Sequence, residues 1–482
     1  MSLLAPAARA GPSRSTATTA AAAVVLGRSG AVVPRRHSST RPVPGTPSQP
    51  GYFQKKDPNE KLRRKIPTFK QLQRLPASQM VHELFNGNTV GSLESLPLKS
   101  NVARTPSSLY QIRKFEMNRP DPLNVYGAPR NLKYEYTVLT KPYNVVREIT
   151  QEALRFVSHS KGTPSLDSRV VLTGRAGSGK SVLLLQIVEC TIQDGWVVIY
   201  IPRAVNLVNS TTPYVYNIRT QTYQQPSYSF QILQRMLTVN GGALSKIQLS
   251  EDLVLERQTV RAGTPLSAVI EIAIAEKERS IGQSPAILEA VMKSLEVQTQ
   301  SVSCSLKTIA KADMCFNRYP VLLAVDDFQA LYGKTAYRDP HFDAIRSYHL
   351  SIPRMIMEYA SGRRNFARGA VFGALSLSQS NYPLPLELRD ALQLQELDAY
   401  PVSPYLKRSK DMLAYTEGLR KLEVPAKLSM QEALAVFEIW KKRMAIGKDN
   451  SFYDEIFLSK YTESGGNARD FIWKGLLSTT DL

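Results

Sequence analysis

The sequence predicts a parallel α/β fold with a small helical C-terminal subdomain and an extended N-terminal arm. Three observations carry that expectation. Short apolar runs recur at residues 170–173, 196–201, 319–327, 369–376 and 419–425, with helical patterns between them. Buried strands that alternate with helices assemble into a parallel sheet. The first run enters the glycine-rich stretch Gly174-Arg175-Ala176-Gly177-Ser178-Gly179-Lys180-Ser181, which opens a helical pattern at Val182. Finally, Pro76, Pro97, Pro106, Pro120, Pro122 and Pro129 interrupt residues 75–130. Long elements cannot survive that punctuation, so an arm with short helices, wrapped on a partner or on the domain, is expected there.

In chain order, residues 1–56 contain no Asp or Glu but carry Arg9, Arg14, Arg28, Arg35, Arg36, Arg41, Lys55 and Lys56 among many Ser, Thr and Ala. That is the make-up of a mitochondrial transit peptide, placed at about residues 1–40, with Arg35-Arg36-His37-Ser38-Ser39 as the region of processing. The short apolar core from Ala20 to Leu26 is the feature a secretory signal would need, but arginines and serines spread on both sides oppose it. The whole chain of 482 residues has 61 basic and 41 acidic residues, a net charge of +20. Removing residues 1–56 leaves 53 basic against 41 acidic, an excess that suits a phosphate-rich partner such as RNA and is also found on soluble enzymes. No apolar run approaches the ~18 residues of a membrane span. Cys190, Cys304 and Cys315 lack C-x-x-C spacing, which points away from zinc and disulfide frameworks and toward a reducing compartment. Residues 41–135 are assigned to the arm; its basic run Lys61, Arg63, Arg64, Lys65, Lys70 and Arg74 is either a solvated face or an RNA contact.

Order is expected from near Tyr136, in an α/β domain over 136–400. Residues 142–159 place Val145, Val146, Ile149, Ala153, Leu154, Phe156 and Val157 at helical spacing. The strand 170–173 and loop 174–181 follow, matching G-x-x-x-x-G-K-[ST] in the strand–loop–helix context that its mechanism requires. Glycines let the backbone approach an anion, and the loop N–H groups and helix N-terminus point at a polyphosphate. Gly174, Ala176, Gly177, Ser178, Gly179, Lys180, Ser181 and Val182 are therefore the candidate nucleotide contacts, with Lys180 reaching the phosphates and Ser181 ligating Mg2+. After the strand 196–201, a long insertion carries a Tyr- and Gln-rich segment around Tyr214, Tyr216, Tyr223 and Tyr228, then helical patterns at 230–239, 266–279 and 285–297. The tyrosines suit either RNA stacking or an ordinary protein surface.

The run Val321-Leu322-Leu323-Ala324-Val325-Asp326-Asp327 has the form of a Walker B strand, its end bringing Asp326 to the Mg2+ shell beside Ser181. In AAA+-type sites, which this resembles, the second acid is usually Glu, orienting water. Asp327 is one methylene shorter, a retreat of roughly 1 Å that costs about 10²-fold, so slow or absent hydrolysis is expected. The strand 369–376 ends in polar residues where a sensor contact to phosphate sits; Ser376, Ser378, Ser380 and Asn381 are candidates, and loop capping is the competing reading. The last strand and a helical subdomain occupy 401–482. Ser429 with Glu432 has capping-box spacing, and Gly465-Gly466-Asn467-Ala468-Arg469 opens the final helix, with Arg469 as a candidate nucleotide contact or an exposed helix-start arginine.

Taken together, the leader, the loop 174–181, the strand 195–202, the acidic pair of 321–327, the Leu-x-Val-Pro…Leu-Ser…Glu-Ala run over 422–433 and the Gly-Gly-Asn-Ala-Arg ending resemble the death-associated protein 3 family of mitochondrial ribosomal small-subunit proteins. The resemblance implies an AAA+/STAND type of P-loop domain, assembled in the ribosome with other small-subunit proteins and rRNA rather than as a homo-oligomer, and without a membrane. It implies GTP or GDP with Mg2+ as ligand. No N-K-x-D motif is present, so guanine rests on the family alone and ATP stays open. The rival expectation is a matrix AAA+/STAND ATPase that hydrolyses ATP to remodel a partner.

Overall fold

The structure, a computed structural model, describes residues 98, 103–115, 122–256, 258–275, 280–298, 319–378, 380–394, 405–443 and 453–479. All lie in one compact unit, Gln73–Leu482. The expected transit peptide, the basic run 61–74, Cys304 and Cys315 fall outside the described residues.

Five strands form the central sheet: β1 Arg169–Thr173, β2 Val197–Ile201, β3 Val321–Asp326, β4 Gly369–Ala374 and β5 Arg420–Glu423. They are all parallel and lie in the order β5-β1-β4-β3-β2. Because successive side chains point to opposite faces, the strands split cleanly between two cores. Val171, Val197, Ile199, Ile201, Leu323, Val325 and Val371 face one of them. That core is closed by α4 Pro226–Leu244, α5 Leu266–Ala275, α6 Ser284–Val297 and α7 Ser351–Ser361, labels that follow α1 Arg130–Val138, α2 Glu148–Ser160 and α3 Lys180–Gln193. Val170, Leu172, Val198, Tyr200, Leu322, Ala324 and Phe372 face the other core, under α2 and α3. Within the expected arm, Leu98, Ala103, Phe115, Leu123 and Tyr126 are buried in this second core, so the described part of the arm is wrapped on the domain.

An exposed edge strand invites pairing with other chains. Here the β2 edge is covered by a side-chain amide: Val198 N–H donates to Asn240 Oδ1 and Asn240 Nδ2 donates to Val198 O, both at 2.9 Å. Tyr126 Oη donates to the same carbonyl at 2.6 Å. At the other edge, Arg420, Lys421 and Glu423 of β5 are exposed charges.

A third core joins α8 Met430–Lys442 and α9 Tyr453–Glu463 to the last helix, through Phe437, Trp440, Phe457 and Phe471. Val138, Tyr143 and Val145 belong to it as well. The helix expected over 142–159 is accordingly shorter. Tyr143–Val145 is a strand paired antiparallel with Ile112–Lys114, and the helix begins at Glu148. The β-branched pair Val145-Val146 finds a partner strand there, and tertiary pairing overrides the helical spacing. Elsewhere the expected capping box is formed: Glu432 N–H donates to Ser429 Oγ at 3.2 Å and Ser429 N–H to Glu432 Oε2 at 3.0 Å. Among the described residues no helix is long and apolar enough to cross a membrane.

Candidate functional site

In a parallel sheet the strand ends that share one edge deliver their loops to one place. The strand β4 lies between β1 and β3, so the glycine loop after β1 and the acids at the end of β3 flank the end of β4. The loop takes its shape from Gly174, Gly177 and Gly179, all with positive φ (+124°, +81° and +95°), where a side chain would be strained. Gly179 caps α3, and Lys180 is its first residue.

Lys180 is buried. Its Nζ donates to Gly174 O at 2.8 Å and Arg175 O at 2.6 Å, with Ser178 Oγ at 3.4 Å. Burial pushes its pKa down to about 8; the carboxylate of Asp326 acts upward and the guanidinium of Arg469 downward. Asp326 is fully enclosed, and burial followed by its neighbour Asp327 raises its carboxyl to about 7, against hydrogen bonds from Ser181 and from the Asp327 N–H. The latter donates to Asp326 Oδ1 at 2.9 Å. The loop lysine and the strand-end aspartate are buried, and the half-buried helix-start serine hydrogen-bonds the aspartate, so the three lie together at the end of the sheet.

The donor set suits a polyphosphate with a hard cation. Glycine backbone, a helix N-terminus and a buried ammonium are anion-binding groups. Mg2+ takes oxygen ligands, few of them from protein and the rest from phosphates and water. Ser181 and Asp326 would hold it, and Gly177, Ser178, Gly179 and Lys180 would hold the phosphates. No group of three or more His, Cys, Asp or Glu that could hold a metal alone occurs among the described residues.

Other candidates from the sequence lie at varying distances from this centre. Asp327 has left-handed backbone (φ +57°) and is buried. Its carboxyl is raised by burial, opposed by a hydrogen bond from Ser376 and the charge of Arg203, whose Nε stands 4.0 Å away. Ser376 is therefore the serine at the acidic pair. Ser378 is exposed and reaches Ser376 Oγ at 3.2 Å. Ser380 and Asn381 are exposed. Arg469 meets the loop through its backbone, its N–H donating to Gly177 O at 3.0 Å, while its side chain is 42% exposed. Ala176 is held by its carbonyl, which accepts from Asn467 Nδ2 at 2.9 Å. Val182 follows on α3, partly buried against the second core. The tyrosine segment forms the hairpin Val215–Asn217/Thr222–Gln224, with Tyr214, Tyr216 and Tyr223 packed on one another.

Several residues at this site carry no sequence signal. Arg147, just before α2, donates through Nη1 to Ser178 O at 2.9 Å and pairs through Nε with Glu432 Oε1 at 3.1 Å. Thr173 Oγ1 at the end of β1 and the Tyr200 hydroxyl are buried without hydrogen-bond partners. Asn467 had its turn-forming glycines as a signal, but nothing in the sequence placed its amide on Ala176.

A family model described as mitochondrial ribosomal death-associated protein 3 matches residues 144–473. The chain is 24% identical over 402 residues to the small ribosomal subunit protein mS29 of Schizosaccharomyces pombe, covering 82% of this chain and 78% of that protein. It is 24% identical to the mS29 of Neurospora crassa over 68% of this chain and 66% of the relative. For the mS29 of Mus musculus the identity is 24%, over 52% and 60% respectively.

Proposed function

Since the chain belongs to the mitochondrial ribosomal death-associated protein 3 family, we propose that it is a structural component of the mitochondrial small ribosomal subunit that holds a purine nucleotide and Mg2+ in the loop 174–181. The relatives' printed name, small ribosomal subunit protein, supports the ribosomal part. The single observation that carries the nucleotide part is that buried Lys180 and Asp326 lie together with Ser181 at the end of the sheet. The five-strand order, with β4 inserted between the loop strand and the acidic strand, supports an AAA+/STAND type of P-loop domain. GTP is the nucleotide by family resemblance.

Bound, such a ligand supplies negative charge that neutralises Lys180 and joins the loop to the acidic strand. What the chain's own residues do is positional. Loop N–H groups and Lys180 bind phosphate, Ser181 and Asp326 orient the cation, and the last helix seats the loop through Asn467 and the Arg469 N–H. Asp327 supports a slow or absent hydrolysis, because its short carboxyl is engaged by Ser376 and Arg203. The excess of basic residues supports rRNA and neighbouring small-subunit proteins as partners, in the mitochondrial matrix.

Two measurements test this. Matrix extract is sedimented, and the chain is expected with the small subunit; a freely soluble oligomer that turns over ATP would overturn the structural role. In melting experiments Mg2+–GTP at a hundred times Kd should stabilise the protein by about 2.7 kcal/mol, and Lys180→Ala should lose that gain. Equal gains in both proteins would remove the loop as the binding site.

A further inference from the structure

Three consecutive loop carbonyls accept hydrogen bonds from outside the loop. Ala176 O takes one from Asn467 Nδ2 at 2.9 Å, Gly177 O one from Arg469 N–H at 3.0 Å, and Ser178 O one from Arg147 Nη1 at 2.9 Å. The first two donors lie on the last helix of the C-terminal subdomain. Arg147 is not part of that helix, yet it is tied to the same subdomain through its ion pair with Glu432, the pair being 12% and 8% exposed. Glu432 uses its two oxygens for two tasks: Oε1 pairs with the guanidinium, and Oε2 accepts the Ser429 N–H that starts α8. Arg147 Nη1 also lies against the loop at Gly179, where an added Cβ would stand in ordinary contact with it at 3.4 Å. Nε and Nη2 are both buried without a hydrogen-bond partner, so Nε meets Glu432 as an ion pair alone.

A trans peptide unit is rigid and planar, so its C=O and the next residue's N–H point in opposite directions. Holding the carbonyls of Ala176, Gly177 and Ser178 therefore fixes the directions of the N–H groups of Gly177, Ser178 and Gly179. Those N–H groups are what a phosphate loop binds with. We propose that Arg147 is a positioning residue that aims the loop's N–H groups according to the seating of the C-terminal subdomain: Glu432 orients the guanidinium, and the guanidinium sets the Ser178–Gly179 peptide. Loop geometry and the docking of α8 then change together. This rests on the reading of 174–181 as a phosphate-binding loop and adds to it the element that controls the loop from the far end of the chain.

The test uses the full chain and hydrogen exchange of the peptide covering residues 174–183, without nucleotide. Glu432→Gln keeps an oxygen for the Ser429 N–H, and with it the helix cap, while removing the charge that orients Arg147. Arg147→Lys keeps the charge and loses the planar fork. Each variant is expected to exchange loop amides about tenfold faster, the scale of one charge-assisted hydrogen bond, while keeping a cooperative melt. The double variant should be no faster than the faster single one, because both changes break one path. Loop exchange at the wild-type rate in Glu432→Gln and Arg147→Lys would overturn the proposal, and so would fully additive effects in the double variant. A parallel arm adds Mg2+–GTP to the wild-type protein. Indifference there would defeat the nucleotide reading, while the coupling is scored from the nucleotide-free rates alone.

Discussion

Replacing Gly177 by Ala probes whether the C-terminal helix holds the loop. At φ +81° a side chain is strained by about 1–2 kcal/mol. The added Cβ would also lie closer than 3.0 Å to Asn467 Oδ1 and to Arg469 Cβ, so the start of the last helix must move away. That movement breaks the Asn467–Ala176 and Arg469–Gly177 hydrogen bonds, each worth about 1 kcal/mol. The sum is about 3–4 kcal/mol, a fall in melting temperature of roughly 5 °C for a domain of this size. Gly179→Ala is the matched control, having left-handed backbone (φ +95°) but no neighbour nearer than 3.4 Å, so it carries the strain alone. Gly282→Ala, with nothing within 4 Å, should be close to neutral. Thermal melting of the three variants separates the effects. If Gly177→Ala melts within about 1 °C of Gly179→Ala, the last helix does not hold the loop and the argument fails.

Two further outcomes are expected. Burial raises the Glu135 carboxyl to about 7, against the hydrogen bond from Trp473 Nε1. Because the folded pKa lies above the unfolded one, this group's stabilisation is complete below about pH 4.5 and is lost as pH rises through about 7. Glu135→Gln keeps an acceptor for Trp473 and should therefore exceed wild type above pH 7, by on the order of 2 kcal/mol; equal pH profiles from urea melts would contradict this. In α4, Gly241 has open space where a Cβ would go, so Gly241→Ala should stabilise the helix by about 1 kcal/mol. An unchanged or lower urea midpoint would refute that.

Much of the sheet was legible because its strands are buried on both faces and read as nearly unbroken apolar runs. Val170 to Thr173, Val321 to Asp326 and Gly369 to Ala374 stand where those runs predicted. The capping box at Ser429 and Glu432 was legible for a different reason, being a local hydrogen-bond pattern within four residues. The stretch from Tyr143 to Val145 has helical spacing yet forms a strand, because its deciding partner, Ile112–Lys114, lies about thirty residues away and has no pattern of its own. Cys190 is buried on α3, with burial pushing its thiol pKa up.

The glycine loop, the lysine and serine that follow it and the two aspartates were fixed by local chemistry: motif spacing and flanking periodicity involve only neighbours along the chain. Which residues surround that loop was decided by tertiary structure. Parallel strands bring Asp326 to Ser181 only once β4 lies between their strands, and Asn467, Arg469 and Arg147 reach the loop only because a third hydrophobic core seats the final helices beside it. A carbonyl accepts from whichever donor packing delivers to it, and nothing in the one-dimensional order of residues says which donor that will be.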